Sequence, residues 1–150
     1  MAITQAVANS FKKELLEGEH KFQFGASGDN FKLALYVSTA TLNSSTTAYT
    51  STGEVSASGQ YTAGGGALVK PNPSTSVASG VAIVDFADLS FTGVTITDRG
   101  ALIYNTSATV TNAAVAVLNF GGDKTATSGT FTIQFPAFTT SAAILRIGNA

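Results

Sequence analysis

Short segments between residues 80 and 148 alternate between apolar and small polar side chains. Successive side chains of a β-strand point to opposite faces, so a two-residue period predicts strands with one buried face. Turn residues at 98–100, 105–112 and 121–129 separate these segments. The pattern predicts an all-β fold with β-sandwich or jelly-roll-like antiparallel sheets. The expected strands are residues 80–91, 93–97, 100–105, 113–121, 129–135 and 142–148.

The N-terminal segment has a longer period. An apolar residue at every fourth position predicts one stripe on a helix, formed by Ile3, Val7, Phe11 and Leu15. Thr4 suits an N-cap and Gly18 suits a left-handed C-terminal position, so we expect one N-terminal α-helix at residues 4–17. Strands at 21–25 and 31–38 should follow it. We expect a single domain over residues 1–150, with the β-sandwich at residues 21–148.

Residues 39–79 are rich in serine, threonine and glycine and show the least regular pattern. Short strands are expected near residues 54–57 and 67–70. Loops this long within one domain are usually functional or mobile. We therefore expect this segment to supply contacts with a partner.

Composition excludes several classes of protein. Only 11% of the residues are charged, against about 25% in an average soluble protein. The net charge of −1 argues against a nucleic-acid partner, which normally requires a basic surface. Without cysteine the chain has no disulfides, thiolate metal sites or cysteine nucleophile. No apolar run is long enough to cross a membrane and no secretory signal is recognisable, so we expect no membrane partner.

The run Gly121-Gly122-Asp123-Lys124-Thr125 superficially resembles a phosphate-binding loop. Such a loop needs glycine directly before the lysine and a helix after it, whose amides hold the phosphates. Here Asp123 would place a negative charge beside the phosphate, and an alternating segment follows instead of a helix. The sequence therefore predicts a hairpin loop at residues 121–129, with no bound nucleotide.

No other group of residues predicts catalysis, a metal ion or a cofactor. Asp85 and Asp88 lack a third acidic neighbour, so a strand-edge or turn role is expected rather than calcium binding or acid–base chemistry. His20 is the only histidine and is expected to be a solvated linker residue. Asp98 and Arg99 are assigned to a turn, with Arg99 paired to Asp98 or to a carboxylate across the sheet. The four tyrosines are expected in core and cross-strand packing, at Tyr36, Tyr49, Tyr61 and Tyr104.

Five ordered stretches, which together cover nearly the whole chain, resemble a family of small virion structural proteins from tailed bacteriophages. They are residues 3–18 (ITQAVANSFKKELLEG), 29–65 (from DNFKLALYVS to SGQYTAGG), 81–91 (VAIVDFADLSF), 95–105 (TITDRGALIYN) and 114–136 (AVAVLNFGGDKTATSGTFTIQFP). The resemblance implies a component of the virion without fixing its place in the particle. It implies no catalytic residues.

The expected function is that of a non-enzymatic capsid cement or decoration protein on the outer surface of the virion shell, made in the host cytoplasm. Its expected partners are the major capsid protein and further copies of itself, as a dimer or trimer. Two alternatives stay open: a tail, collar or fibre-associated virion protein, and a carbohydrate-binding β-sandwich module. The candidate partner-interface residues are Val7, Phe11, Leu15, Tyr49, Tyr61 and Arg99. For the helix stripe, packing on the protein's own sandwich is the favoured alternative.

Overall fold

The computed structural model describes residues 2–149 and is mostly β-structure, which confirms the predicted all-β fold with antiparallel sheets and one helix near the N-terminus. A five-stranded sheet has the order β1-β7-β6-β2-β3, and a three-stranded sheet has the order β4-β5-β8. All strand pairs in both sheets are antiparallel. The elements are β1 Ala6–Val7, α1 Asn9–Leu16, β2 Phe31–Tyr36, β3 Gly66–Leu68, β4 Thr75–Ala78, β5 Val81–Val84, β6 Leu89–Asn105, β7 Ala113–Ile133 and β8 Leu145–Ile147.

The helix is shorter than predicted and begins five residues later, at Asn9 instead of residue 4. The residues before it are extended because their backbone groups pair with other segments: Val7 pairs with Ala116 of β7, and Ile3 forms a bridge with Leu42. The pattern of one apolar residue at every fourth position therefore spans two conformations, with Ile3 and Val7 in extended backbone and Phe11 and Leu15 in α1. The predicted end is confirmed, since α1 stops at Leu16 and Gly18 has a φ of 81°.

Strands β6 and β7 form one long ribbon where four separate strands were predicted. The predicted turn at residues 98–100 lies inside β6, and the predicted hairpin loop at residues 121–129 lies inside β7. Both predictions were wrong because the glycines form a bulge instead of a turn. Asp98 pairs with Lys124 and Gly100 pairs with Asn119, so four residues of β7 face one residue of β6. The actual β6–β7 hairpin turns at residues 106–112.

Other strand predictions need smaller corrections. Residues 21–25 form no strand. Phe22 is buried, while Phe24, two residues further on, is exposed, so the two rings do not share one buried face. The predicted strand 80–91 is interrupted at residues 85–88, and residues 54–57 contribute only a bridge between Glu54 and Tyr36. The predicted strands at 31–38 and 142–148 contain β2 and β8, and the predicted strand at 67–70 overlaps β3, which begins one residue earlier. Each observed strand is shorter than expected.

The hydrophobic core lies on the inner face of the five-stranded sheet and joins it to the smaller sheet. Phe22 and Phe31 stack with ring centroids 4.6 Å apart, and Phe86 packs against both. Phe86 also contacts Phe135, which lies beyond the end of β7. Leu145 of β8 belongs to the same buried cluster. These contacts position the small sheet beside α1, where the groove described below forms.

Candidate interaction surfaces

An apolar groove of about 500 Å³ lies between α1 and the three-stranded sheet. Alternate residues of a strand share a face, and one face of this sheet carries Val84 and Leu145, which pack against the core. The same face continues to Val77 and Ile147, which the core does not cover and which are 70% and 60% exposed. The sheet therefore extends past the core, and Ile147 lines the groove on the side opposite the helix.

The helix side of the groove contains three of the six predicted interface residues. Val7, Phe11 and Leu15 all line it. Phe11 is itself buried against β7 and the ring of His20, so it forms the floor of the groove, while Val7 and Leu15 are half-buried. The predicted stripe thus packs on the body of the protein and also borders an open cavity. Leu16, which was not among the candidate interface residues, lies on the rim of the groove and is 90% exposed.

The other three predicted interface residues lie elsewhere. Tyr61 is fully buried, which makes it unsuitable as a contact residue, and Tyr49 is half-buried in the same side-chain cluster. Arg99 lies on β6, where its Nε donates to Asp123 Oδ1 at 2.7 Å across the bulge. The prediction that Arg99 pairs with a carboxylate across the sheet is confirmed, while its assignment to a turn was wrong.

Glu54 connects the irregular segment to the sheet. Its carboxylate accepts hydrogen bonds from Tyr49 Oη at 2.6 Å, Tyr61 Oη at 2.8 Å and the Gly64 backbone N–H at 2.7 Å. Tyr104 stacks on Tyr49 and donates to the Gly64 carbonyl. Burial, with the hydrogen bond to Glu54 as a second cause, raises the pKa of Tyr49 to about 12. The tyrosine packing predicted from the sequence is confirmed, and Glu54 is the residue that organises it.

His20 is buried and not solvated as predicted. Its Nε2 lies 2.8 Å from Glu14 Oε2, and its Nδ1 lies 3.0 Å from Asn105 Nδ2. Asn105 Oδ1 accepts the backbone N–H groups of Ser107 and Ala108, which orients its amide nitrogen toward the ring. The bonding pattern assigns the neutral tautomer with hydrogen on Nε2. The cluster joins α1 to the β6–β7 hairpin through the contacts of His20 with Glu14 and Asn105.

Asp98 is the least satisfied polar group in the described chain. It lies in the middle of β6 with no exposed surface, and neither carboxylate oxygen has a hydrogen-bond partner on another residue. Burial raises the pKa of this carboxyl to about 7, with a further rise from Asp123 and a partial offset from its own N–H and from Lys124. A carboxyl in this position is stable in its neutral form.

The part of the β6–β7 ribbon beyond Gly100 and Asn119 has an exposed face of hydroxyl side chains. Ser90 and Thr132 bond each other at 2.8 Å, and Thr97 and Thr125 bond each other at 2.9 Å, so each pair shares that face. The exposed hydroxyl residues of the two strands are Ser90, Thr92, Thr95, Thr97, Thr125, Thr127, Ser128, Thr130 and Thr132. The charged groups Arg99, Asp123 and Lys124 are confined to the bulge end.

Acidic residues do not gather into a metal site in the described part of the chain. Residues 2–149 contain no group of three or more His, Asp or Glu side chains arranged to hold a metal ion. Asp88 accepts the Phe135 N–H at 2.8 Å, and Asp85, whose pKa is raised by burial, lies in the short link between β5 and β6. These placements agree with the expected strand-edge and turn roles. No helix among residues 2–149 is long and apolar enough to cross a membrane.

Comparison with protein-family models, with curated proteins and with solved structures gives no match for this chain. Functional arguments therefore depend on its own residues. Sequence reasoning missed Leu16, Glu54 and Asn105, and it assigned Asp98, which is buried within β6, to a turn. The pair Leu15-Leu16 was a usable signal, because Leu16 lies outside the four-residue stripe that contains Phe11 and Leu15. Glu54 offered a weaker signal as an acidic residue in a segment almost free of charge.

Proposed function

We propose that this protein is a non-enzymatic structural component of a bacteriophage virion and binds the outer surface of the capsid shell as a cement protein. The exposed hydroxyl face of the β6–β7 ribbon is the observation that carries the proposal. The resemblance of the sequence to small virion proteins supports it. The clusters around His20 and Glu54 have structural partners that account for them without a reaction.

The β6–β7 ribbon has the length and the rigidity needed to join neighbouring coat subunits. Its strands contain 17 and 21 residues, whereas an average strand has about 5–6. At about 3.3 Å per residue, a 17-residue strand reaches up to about 55 Å. Thr side chains are stiff at χ1 and lose little conformational entropy when a partner covers them. A face with few charged groups has few charges to desolvate on contact with another protein, and its hydroxyls can hydrogen-bond to that protein.

The cement role places the hydroxyl face of the ribbon against the coat subunits. We expect the purified chain to bind shells of the major capsid protein, and the double variant Thr127→Lys/Thr130→Lys to bind them at least about tenfold more weakly. Both threonines are exposed and have no side-chain partner described, so the variant should fold normally. The double variant Val110→Lys/Thr111→Lys, in the hairpin loop, is the matched control for two added charges. Co-sedimentation with shells measures both affinities.

Copy number in the particle separates the cement role from the tail, collar or fibre alternative. Hundreds of copies per virion by quantitative mass spectrometry support a place on the shell, while about a dozen place the chain at the neck or tail. Absence from virions refutes the proposal. The carbohydrate-binding alternative has no observation in its favour, because Tyr36, Tyr61 and Tyr104 are buried and form no exposed platform.

A further inference from the structure

Strand β4 forms one edge of the three-stranded sheet, with β5 on its inner side. All of its residues are exposed, and within residues 2–149 no backbone hydrogen bond joins β4 to a segment other than β5. An unpaired strand edge is a template on which another strand can add. We propose that β4 of a second copy of this chain pairs antiparallel with this edge, about a two-fold axis at Ser76.

The hydrogen-bond pattern of the β4–β5 hairpin leaves two residues with outward backbone groups. The backbone N–H of Asp85 donates to the Ser74 carbonyl at 2.8 Å, so these residues form a hydrogen-bonded pair. Such pairs alternate along an antiparallel ladder, which makes Ser76 and Ile83 the next one. The N–H and C=O groups of Thr75 and Val77 therefore point away from β5 and toward water.

An identical strand satisfies all of these outward groups. A two-fold axis at Ser76 places Thr75 of each copy opposite Val77 of the other, and each such pair exchanges both of its N–H···O=C hydrogen bonds. The edge ends on either side of them, because Pro73 has no N–H and Ser79 begins the turn with a φ of 51°. The pairing uses the β4 edge of both copies, so it closes as a two-fold dimer.

The charges of the sheet favour a second copy at β4. Residues 71–84 contain no charged side chain, so two copies of β4 meet without like-charge repulsion, and no charge on β4 selects the strand of another protein. The opposite edge of the sheet, β8, has Arg146 at its centre. Two β8 strands would bring these arginines together, and charges of this kind protect natural edges against self-association. The β4 edge lacks that protection.

The first test measures self-association of the purified full-length chain by sedimentation velocity, from micromolar to millimolar concentration. We expect a weak monomer–dimer equilibrium for the wild type, and about a tenfold larger dissociation constant for Val77→Pro, which removes an outward N–H from each copy. Val77→Thr keeps that N–H and a β-branched side chain, so this matched control should dimerise like the wild type. A wild-type monomer at every concentration, an assembly larger than a dimer, or an unaffected Val77→Pro dimer refutes the proposal.

The second test leaves the backbone unchanged and examines the position of the axis. Ser76 is exposed, and in the proposed dimer it lies directly opposite Ser76 of the other copy. Ser76→Lys and Ser76→Glu should each dimerise more weakly than the wild type, because each places like charges opposite one another. Mixed in equal amounts, the two variants should form heterodimers in excess of the statistical half, as native mass spectrometry measures. A statistical mixture overturns the two-fold register.

Binding to capsid shells separates this inference from the proposed function. The double variant Thr127→Lys/Thr130→Lys alters the β6–β7 ribbon and should dimerise like the wild type. Sedimentation uses the purified chain alone, so a failure of the wild type to bind shells leaves the dimer measurement unaffected. A monomeric wild type whose binding to shells is lost in Val77→Pro would assign the β4 edge to the coat protein and overturn the second-copy assignment.

Discussion

Replacing Asp98 by asparagine tests the consequence of burying a carboxyl without partners. The side chain has no exposed surface, and its pKa of about 7 lies well above the value of 3.8 for an unperturbed aspartate. In the unfolded chain this group is ionised above about pH 4, while the folded chain retains the proton up to about pH 7. Folding therefore takes up a proton between these two values. The stability contributed by the neutral form is complete below pH 4 and is lost as the pH rises to 7.

The magnitude follows from the difference in pKa. A difference of about three pH units, at about 1.4 kcal/mol each, gives an upper bound of roughly 4 kcal/mol above pH 8. Relaxation of the folded chain and water penetration around the ionised carboxyl reduce this value, and we expect about 2 kcal/mol. Asparagine keeps the shape of the side chain and carries no charge. At pH 8 the Asp98→Asn variant should therefore be more stable by about 2 kcal/mol, which corresponds to about 4–8 °C in melting temperature.

The assay is urea unfolding of wild type and variant between pH 5 and pH 8.5. Near pH 5 the variant should equal the wild type or be less stable by about 1 kcal/mol, because its amide has two donors without partners. Its advantage should then grow with pH and level off above pH 8. Asp88→Asn controls for the change in net charge, because Asp88 is exposed and the asparagine Oδ1 can still accept the Phe135 N–H. A difference between variant and wild type that does not change with pH refutes the reasoning.

Two further substitutions test the hydrogen-bonded clusters around His20 and Glu54. His20→Ala should destabilise the protein by about 3 kcal/mol in urea unfolding, because the buried Glu14 loses its partner. A loss of stability below about 0.5 kcal/mol would instead support the solvated histidine predicted from the sequence. Glu54→Gln should cost about 1–3 kcal/mol, since an amide nitrogen cannot accept a tyrosine hydrogen bond. The same variant should move the pKa of Tyr49 down from about 12, as ultraviolet titration of the tyrosinate measures; an unchanged pKa would contradict the role of Glu54.

The candidate surfaces were partly foreseeable from the sequence. The four-residue apolar spacing drew attention to Val7, Phe11 and Leu15, and these residues do line one groove. The same spacing misassigned residues 4–8 to the helix, because an extended segment with a buried anchor at Ile3 produces the same apolar positions. Tyr61 was proposed for an interface and is instead buried. A tyrosine pattern alone cannot distinguish a surface ring from a buried ring whose hydroxyl bonds to Glu54.

The sequence by itself determined the class of secondary structure. A two-residue alternation of apolar and hydroxyl residues fits a strand and does not fit a helix. Gly18 ends α1 because it adopts a left-handed conformation. Tertiary structure decided how the strands connect. A run such as Gly121-Gly122-Asp123 is compatible with a turn or with a bulge, and only pairing with the distant residues of β6 selects the bulge. The burial of Asp98 and His20 was settled in the same way, because it depends on segments far away in sequence that fold over them.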